Sequence, residues 1–409
     1  MPDLEYFIEQ TNRLESWMKS KAIPLWSSIG INPENQSAFE CLDPSGVPDY
    51  SANLRARVQS RQIFVFCSAY LMGWMHNAKE KVLGINQFLN ANAKNTQQSA
   101  GYAHLLTTSG KILDSKNDTY DFAFFILASA YRYKVFNDKK AIQEAEEIAA
   151  YIDVSFKAQY GGWSEGNYTC DVRRQNPHMH LFEAFLTCYE FTLDAKWLAR
   201  AGQIFTLFES AFYDPKNYVV REFFNHDWSL NEGRLGTIVE PGHMFEWIWL
   251  LRWYQKFTQA PVDDYCNNLY AKAVKIGFAK NTKLVFDEVT LDGTVIKSSK
   301  RLWPITEFIK ASVAQAEFTP SNKAYYQGQA ADGIDSLFQH YFHQPRTIAA
   351  GDISDDQPNL LEAFSGRYID QLDVNNQACA SHAPSSSLYH IATAAVMASN
   401  YVNRVTNEA

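Results

Sequence analysis

Two kinds of helical segment alternate along this chain, and the alternation limits the folds that it can adopt. Segments such as 120–131 and 243–254 are apolar on nearly every side and must be buried on most of them. Segment 141–152 instead has one polar and one apolar face, which is typical of an outer layer. Helical periodicity predicts about twelve segments, beginning with an amphipathic one, at 3–26, 55–75, 78–93, 119–134, 138–157, 177–191, 194–212, 241–257, 261–279, 304–318, 321–341 and 386–403.

Six repetitions of an outer helix followed by an inner helix build a closed ring that covers every inner helix. The sequence therefore predicts an all-α fold, a single-domain (α/α)6 barrel over residues 1–409 with short hairpins in its loops. One hairpin is expected at 284–298, where Asp292 and Gly293 supply a primed turn. An open helical solenoid is the rival architecture, but no regular repeat of the TPR or HEAT type is visible.

Composition excludes several classes of protein. Of the 409 residues, 46% are hydrophobic and 20% are charged, which is typical of a globular chain. The 37 basic residues are outnumbered by 45 acidic ones, so we expect no nucleic-acid partner. The longest apolar stretches, such as 122–130, are too short to cross a bilayer, so we expect no membrane partner. An aromatic content of 14% suits a large core or a carbohydrate pocket.

The cysteines and the N-terminus indicate a cytoplasmic protein. The six cysteines are scattered without a CxxC spacing, and we interpret them as reduced core thiols: Cys41, Cys67, Cys170, Cys188, Cys266 and Cys379. The first ten residues, MPDLEYFIEQ, lack the basic and apolar regions of a secretory signal.

Polar and ionisable side chains recur in the first turns of the otherwise apolar helices. They are Arg57, Arg61, Tyr120, Asn176, His180, His243, Glu246, Trp303, Glu307, Tyr389 and His390. Inner helices of a barrel that run in one direction bring their first turns together at one end, around a common cavity. Four of these starts are fixed by proline, which lacks only an N–H that the first turn leaves unpaired: Pro177, Pro241, Pro304 and Pro384.

Metal and nucleotide chemistry have little support in the sequence. His178 and His180 look like a ligand pair, but residues two apart on a helix point to nearly opposite sides. An HExxH spacing and the glycine-rich nucleotide-binding patterns are absent. We therefore expect no catalytic metal and no cofactor.

Several histidines with few free carboxylates favour proton transfer next to a carbonyl group. A glycosidase on this architecture needs one protonated and one ionised carboxylate. Here Glu183 and Glu246 follow His180 and His243 by three residues and look like histidine partners. Two histidines suit proton transfer near neutral pH, and an arginine suits a developing enediolate. Sugar isomerisation or epimerisation is the predicted reaction class. A glycosidase or lyase, and a non-catalytic sugar- or protein-binding barrel, stay open as alternatives.

The same segments resemble the N-acylglucosamine 2-epimerase superfamily. The resemblance runs in order through most of the chain and is carried by RVQSRQIFVF (57–66), YDFAF (120–124), RRQNPHMHLFEAF (173–185), EPGHMFEW (240–247), RLWPITE (301–307) and SSSLYHI (385–391). It implies an (α/α)6 barrel, in agreement with the helix pattern. Within the superfamily the chain looks most like the D-mannose isomerase branch, to which sulfoquinovose isomerase is related.

The resemblance implies metal-independent interconversion of D-mannose and D-fructose through a cis-enediol, with 2-epimerisation as the alternative. The implied catalytic residues are His243 for ring opening, His390 for proton transfer between C2 and C1, Arg61 for the enediolate and Glu246, which orients His243. Tyr120, Asn176, His180 and Trp303 are expected to bind the sugar, and we add Glu307 because it shares the predicted rim. We expect a monosaccharide substrate and a monomer or weak homo-oligomer.

Overall fold

Helices dominate the structure, as the periodicity predicts. The computed structural model describes residues 2–94, 101–280, 282–342 and 365–407. Its α-helices are α1 (Pro2–Trp17), α2 (Ile23–Ser28), α3 (Ala56–Leu71), α4 (Ala78–Asn92), α5 (Thr119–Phe136), α6 (Lys139–Ser155), α7 (Asn176–Thr192), α8 (Ala195–Leu207), α9 (Pro241–Thr258), α10 (Asp263–Gly277), α11 (Trp303–Phe318), α12 (Lys323–Ser336) and α13 (Ser385–Asn407). Each predicted segment is present, and a π-helical turn at Met18–Ala22 divides the first into α1 and α2.

The inner helices close a ring. Helix α3 packs against α5, α5 against α7, α7 against α9, α9 against α11, α11 against α13, and α13 returns to α3. Helices α1, α4, α6, α8, α10 and α12 cover this ring from outside. The predicted all-α (α/α)6 barrel is therefore confirmed. Within the described residues, no helix is both long and apolar enough to cross a membrane.

Burial follows the alternation that the sequence shows. On inner helix α5, every residue from Asp121 to Ala130 is buried. On outer helix α6 the buried residues lie along one face, in steps of three or four except for the adjacent pair Ile148 and Ala149: Ala141, Ala145, Ile148, Ala149 and Ile152. Two residues set the turn between α5 and α6. Asn137 has a φ of 53°, and the Asp138 carboxylate accepts hydrogen bonds from the N–H groups of Lys140 and Ala141 in the first turn of α6.

Proline marks the start of three inner helices. Pro241 is the first residue of α9, while Pro177 and Pro304 are the second residues of α7 and α11. Pro384 differs from the prediction, because it ends a strand paired with Cys41 rather than entering the helix. The next residue, Ser385, donates its N–H to the carbonyl group of Glu40, and α13 begins there.

Short strands join the loops in front of the inner helices. They are β1 (Cys41–Leu42), β2 (Leu54–Arg55), β3 (Leu105–Leu106), β4 (Ile112–Asp114), β5 (Arg173–Arg174), β6 (Tyr213–Asp214), β7 (Val219–Val220), β8 (Phe223–Phe224), β9 (Glu288–Val289), β10 (Val295–Lys297), β11 (Lys300–Arg301), β12 (Gln371–Leu372) and β13 (Ala383–Pro384). The antiparallel pairs β1–β13, β5–β8 and β11–β12 connect segments far apart in sequence.

The hairpin predicted at 284–298 is present as β9 and β10, but its turn is not the predicted primed turn. A type I′ turn needs positive φ at both central residues. Only Gly293 has a positive φ (91°), and its N–H donates to the carbonyl group of Thr290. The longer loop from Thr290 to Thr294 also shifts the register between the two strands.

Candidate active site

The first turns of the inner helices meet around one cavity. Its volume is about 370 Å³, and it is lined by Arg55, Arg61, Tyr120, Asn176, His180, Glu240, His243, Glu246, Arg301, Trp303, Asp370, Pro384, Ser386, Ser387 and His390. Eight of the nine predicted site residues are among them. The ninth, Glu307, is fully buried behind His390 and is not part of the lining.

His243, in the first turn of α9, is paired with a carboxylate that the sequence does not point to. Its Nδ1 lies 2.9 Å from Glu222 Oε2 and 3.9 Å from Glu240 Oε2. Its Nε2 lies 3.1 Å from the side-chain amide of Asn176, in the cavity wall. Burial alone lowers the pKa of His243, but the charges of Glu222 and Glu240 outweigh it and raise the pKa to about 10. His243 is therefore protonated at neutral pH and can act as an acid.

The contacts of Glu246 differ from those expected of a residue that orients His243, which is its predicted role. The carboxylate in hydrogen-bond contact with His243 is that of Glu222, whereas Glu246 Oε1 lies 3.7 Å from His180 Nδ1. Burial, followed by the nearby charge of Glu307, raises the pKa of Glu246 well above its usual range. Glu246 thus lines the cavity close to His180, with its protonated form favoured by burial.

His390, in the second turn of α13, has the opposite electrostatic environment. Its Nδ1 donates to Glu307 Oε1 at 2.8 Å, which leaves Nε2 as the nitrogen available to a substrate. Burial, assisted by the positive charges of Arg61 and Lys310, outweighs the effect of Glu307 and lowers the pKa of His390 to about 3. His390 is therefore a neutral base at neutral pH.

Glu307 stays ionised behind His390. Burial favours its protonated form, but Lys310 and the hydrogen bond from His390 lower its pKa to about 2. Lys310 Nζ lies 2.7 Å from Glu307 Oε2, and Trp249 Nε1 donates to the same oxygen at 2.9 Å. These contacts favour one tautomer and one orientation of His390.

Arg61 presents a buried positive charge to the cavity. It donates from Nη2 to the Tyr120 hydroxyl at 2.8 Å and from Nη1 to the Ser386 carbonyl at 3.4 Å. Its Nε has no hydrogen-bond partner among the described residues, and its guanidinium carbon lies 4.0 Å from the centre of the Phe124 ring. With neutral partners and little exposure to solvent, Arg61 is suited to stabilising an oxyanion.

Trp303 lies between the two histidines that differ in pKa. Its ring centre is 5.1 Å from that of His243 and 5.7 Å from that of His390. Gly242 makes this position possible, because a β-carbon there would lie 2.5 Å from the Trp303 ring. The tryptophan thus offers a flat apolar surface to a sugar between the acid and the base.

A layer of buried polar side chains underlies the cavity. Tyr389 donates to the carboxyl group of Glu183, which lies 3.4 Å from His180 Nδ1. Burial raises the pKa of Glu183, and burial with the charges of Arg61 and His243 lowers the pKa of His180 well below its usual range. His180 is therefore neutral and can make hydrogen bonds to a sugar hydroxyl.

Two further arginines of the lining are already matched by carboxylates. Arg55 forms an ion pair with Glu40. Arg301 lies 3.1 Å from Asp287 and 3.3 Å from Glu240. Their positive charge is therefore compensated by the protein itself.

Two groups of cavity side chains have the donor atoms of a metal site, but their surroundings oppose the protonation states that ligation needs. Glu222, Glu240 and His243 lie close together, and so do His180, Glu183 and Glu246. In the first group the pKa of His243 is raised to about 10, so that its ring is protonated at neutral pH, and in the second burial raises the pKa values of Glu183 and Glu246. Metal ligation needs neutral imidazole and ionised carboxylate.

Seven residues of the lining fall outside the predicted set: Arg55, Glu240, Arg301, Asp370, Pro384, Ser386 and Ser387. All but Asp370 lie in the first turn of an inner helix or within two residues before it, so the signal that predicts the others extends to them. Asp370 and Glu222 carry no such signal. They reach the site because β12 pairs with β11 and β8 pairs with β5, and these long-range pairings are not visible in the sequence.

Comparison with known proteins establishes the family. A helical barrel with an acid histidine and a base histidine over one cavity is suited to moving protons on a sugar. Residues 38–394 match the family model of N-acylglucosamine 2-epimerase (GlcNAc 2-epimerase), and the chain belongs to that family. It is therefore an enzyme of a family that isomerises or epimerises sugars.

Individual relatives include both kinds of enzyme. The chain is 29% identical to the mannose-6-phosphate isomerase of Rhizobium meliloti (strain 1021), over 93% of this chain and 95% of that protein. It is 24% identical to the D-mannose isomerase of Thermobifida fusca, over 88% and 94% of the two chains. The structure of cellobiose 2-epimerase from Bacillus thermoamylovorans B4167 superposes with a TM-score of 0.81 at 17% identity, over 96% and 99%. The predicted superfamily and the likeness to D-mannose isomerase are confirmed.

Proposed function

We propose that this protein is an aldose–ketose isomerase that interconverts D-mannose and D-fructose by proton transfer without a metal. The observation that carries the proposal is the pair of histidines at one cavity, one with its pKa raised to about 10 and one with its pKa lowered to about 3. Two titratable groups whose pKa values are driven apart divide the acid and base roles between them.

Ring opening is the step that we assign to His243. The imidazolium donates a proton to the ring oxygen O5 as the C1–O5 bond breaks, and the neutral imidazole then takes the proton from the O1 hydroxyl as the C1 carbonyl forms. Glu222 stabilises the imidazolium throughout, since its carboxylate lies 2.9 Å from Nδ1. The step leaves His243 protonated again and the sugar in its open form.

Isomerisation proper is assigned to His390. Its Nε2 takes the proton from C2, the electron pair moves to the C1 oxygen, and the enediolate so formed is stabilised by Arg61. His390 then returns the proton to C1, while the proton of the O2 hydroxyl is transferred to O1, so that O2 becomes the ketone oxygen and O1 a hydroxyl group. Trp303, Tyr120 and Asn176 hold the sugar, and His180 and Glu246 hold its hydroxyl groups at the cavity floor.

A sugar 2-epimerase is the second candidate, and one observation favours it. His243 and His390 flank Trp303, so the acid and the base can address a bound sugar from two directions. An epimerase takes the proton from one face of C2 and returns a proton to the other face, which yields glucose from mannose. Product analysis separates the two candidates, because only isomerisation makes fructose.

The charge of the cavity predicts a preference for the free sugar over its 6-phosphate. Arg55 and Arg301 are paired with carboxylates, and we assign Arg61 to the enediolate, so a phosphate dianion would find no uncompensated cation in the described lining. We expect kcat/KM for D-mannose to exceed that for D-mannose 6-phosphate by at least about tenfold, which corresponds to about 1.4 kcal/mol. Initial rates with the two substrates measure this ratio.

Glu40→Gln is the matched variant for this prediction, because it frees the Arg55 charge without changing the shape of the pocket. It should narrow the ratio by improving kcat/KM for the phosphate ester. A wild-type enzyme that prefers the phosphate ester would show that the compensated arginines do bind phosphate.

A further inference from the structure

Three side chains with metal-binding atoms meet next to the strand whose Pro384 lines the substrate cavity, outside the catalytic machinery. Cys41 belongs to β1, Asp49 lies in the loop that follows, and His382 directly precedes β13. The antiparallel pairing of β1 with β13 brings them together, with Cys41 opposite Pro384. Their ligand atoms all lie within 4.8 Å of one another. Sequence spacing does not reveal the group, since more than three hundred residues separate Asp49 from His382.

Each of the two polar members is oriented by a second partner. Asp49 Oδ1 accepts hydrogen bonds from the Ser51 N–H at 2.8 Å and the Ser51 hydroxyl at 2.6 Å, which leaves Oδ2 facing His382 Nε2 at 3.7 Å. His382 Nδ1 is engaged by Ser381 Oγ at 2.9 Å. A histidine that donates Nδ1–H to an outer partner presents a neutral Nε2, which is the usual arrangement around bound zinc.

We infer that Cys41, Asp49 and His382 form a three-ligand site for a zinc-class divalent cation, with its fourth position open to water. A thiolate, an imidazole and a carboxylate together suit zinc and its neighbours, whereas magnesium and calcium take oxygen ligands. Nitrogen and oxygen ligands at about 2.0–2.2 Å from a tetrahedral zinc lie about 3.4 Å apart. The 3.7 Å between Asp49 Oδ2 and His382 Nε2 is close to that spacing.

Binding of the cation at this site releases one proton. As the metal–sulfur bond forms, the Cys41 thiol releases its proton to solvent, while His382 binds through its neutral nitrogen and Asp49 as a carboxylate. Without a cation, burial and the charges of Asp49 and Glu40 raise the pKa of Cys41 to about 11. A bound dication offsets both effects and stabilises the thiolate.

The site would be structural rather than catalytic. It ties the loop from Cys41 to Asp49 to the segment in front of α13, and Glu40, next to Cys41, holds Arg55 in the cavity lining. None of the three ligands lines the cavity. Zinc should therefore raise the melting temperature, and a chelator should lower it while kcat stays within about twofold.

Cobalt(II) is the probe that tests the inference, because sulfur ligation gives a near-ultraviolet charge-transfer band and four-coordination gives intense visible bands. Tag-free reduced protein is titrated with cobalt(II) and then with zinc. We expect one equivalent of cobalt, displaced by one equivalent of zinc. Cys41→Ser should abolish the charge-transfer band, and His382→Gln, which removes a direct ligand, should weaken zinc binding by more than about tenfold, the minimum that loss of an outer-shell partner costs. Cys379→Ser, which removes an exposed cysteine outside the cluster, should leave both unchanged.

The buried Cys41→Ser variant could fail to fold, and the comparison of wild type with His382→Gln then decides the question. His382 is partly exposed, and the effect of replacing it is measured by zinc affinity and by melting temperature. The inference is overturned if the wild type gives no sulfur-to-cobalt band. It is equally overturned if the band survives in folded Cys41→Ser protein, or if zinc affinity is unchanged in His382→Gln. Inactivation by a chelator with recovery on adding zinc would contradict the structural role and the metal-free mechanism together.

Discussion

Replacing His390 with alanine is expected to remove the carbon–hydrogen chemistry, lowering kcat by at least about 10²–10⁴-fold, the usual contribution of a positioned acid–base group. His390 is a neutral imidazole whose Nδ1 is held by the ionised Glu307 and whose Nε2 is available, whereas His243 is protonated and Arg61 cannot accept a proton. Steady-state kinetics with D-mannose, together with the melting temperature of the variant, measure the effect.

His180→Ala is the matched control for that result. His180 is also a buried neutral histidine of the same cavity, but we assign it only a contact to a sugar hydroxyl. Its replacement should raise KM more than it lowers kcat. If His390 instead only completes the buried network around Glu307, folded His390→Ala protein will melt at a lower temperature and keep near-normal kcat. That outcome would rule out the proposed mechanism.

His243→Ala is expected to be equally severe with the cyclic sugar, because ring opening loses its acid. The loss should again be about 10²–10⁴-fold in kcat. Proton exchange at C2 should partly survive when the sugar reaches the site already open, since His390 and Arg61 remain. Exchange measured by NMR in deuterated water distinguishes the two steps. Equal loss of turnover and of exchange from the open form would show that His243 also takes part at carbon.

Glu222→Gln provides the pH test of the same assignment. The raised pKa of His243 keeps the acid protonated up to about pH 10, and activity should fall as the pH rises through that value. The variant removes the main charge that raises this pKa and leaves burial, which lowers it. The alkaline limb of the kcat/KM profile should therefore move to lower pH. Glu246→Gln should shift it far less, because its carboxyl group has no hydrogen bond to His243.

The parts of the fold and site that are local in sequence could be predicted, and the parts that depend on long-range pairing could not. The ring follows from helix periodicity, and the cavity follows from polar residues in first turns such as those of Asn176 and His243. A spacing of three residues between a histidine and a carboxylate, however, does not show which carboxylate pairs with that histidine in the fold. His243 pairs with Glu222 across β5–β8, and His390 pairs with Glu307 from a neighbouring inner helix.

The protonation states of the histidines also divide into a part that the sequence predicts and a part that depends on long-range contacts. The residue types in the first turns indicate histidine chemistry, but not which histidine is the acid. That assignment depends on Glu222 and Glu240 beside His243, and on Lys310 beside Glu307, all of which are buried or nearly so. In an environment of low polarity such contacts shift a pKa by several units, so small differences in geometry decide the role.

The most direct test of the proposed isomerase is to follow D-mannose with the purified wild-type protein in deuterated water by NMR, identifying the first product and the position of solvent deuterium. We expect D-fructose as the first product, with solvent deuterium at C1, because the imidazole of His390 that carries the proton from C2 can exchange it before returning it. D-glucose with deuterium at C2 as the first product would contradict isomerisation and establish the epimerase. Fructose that keeps all of the hydrogen from C2 at C1 would contradict the assignment of His390 as the carbon base.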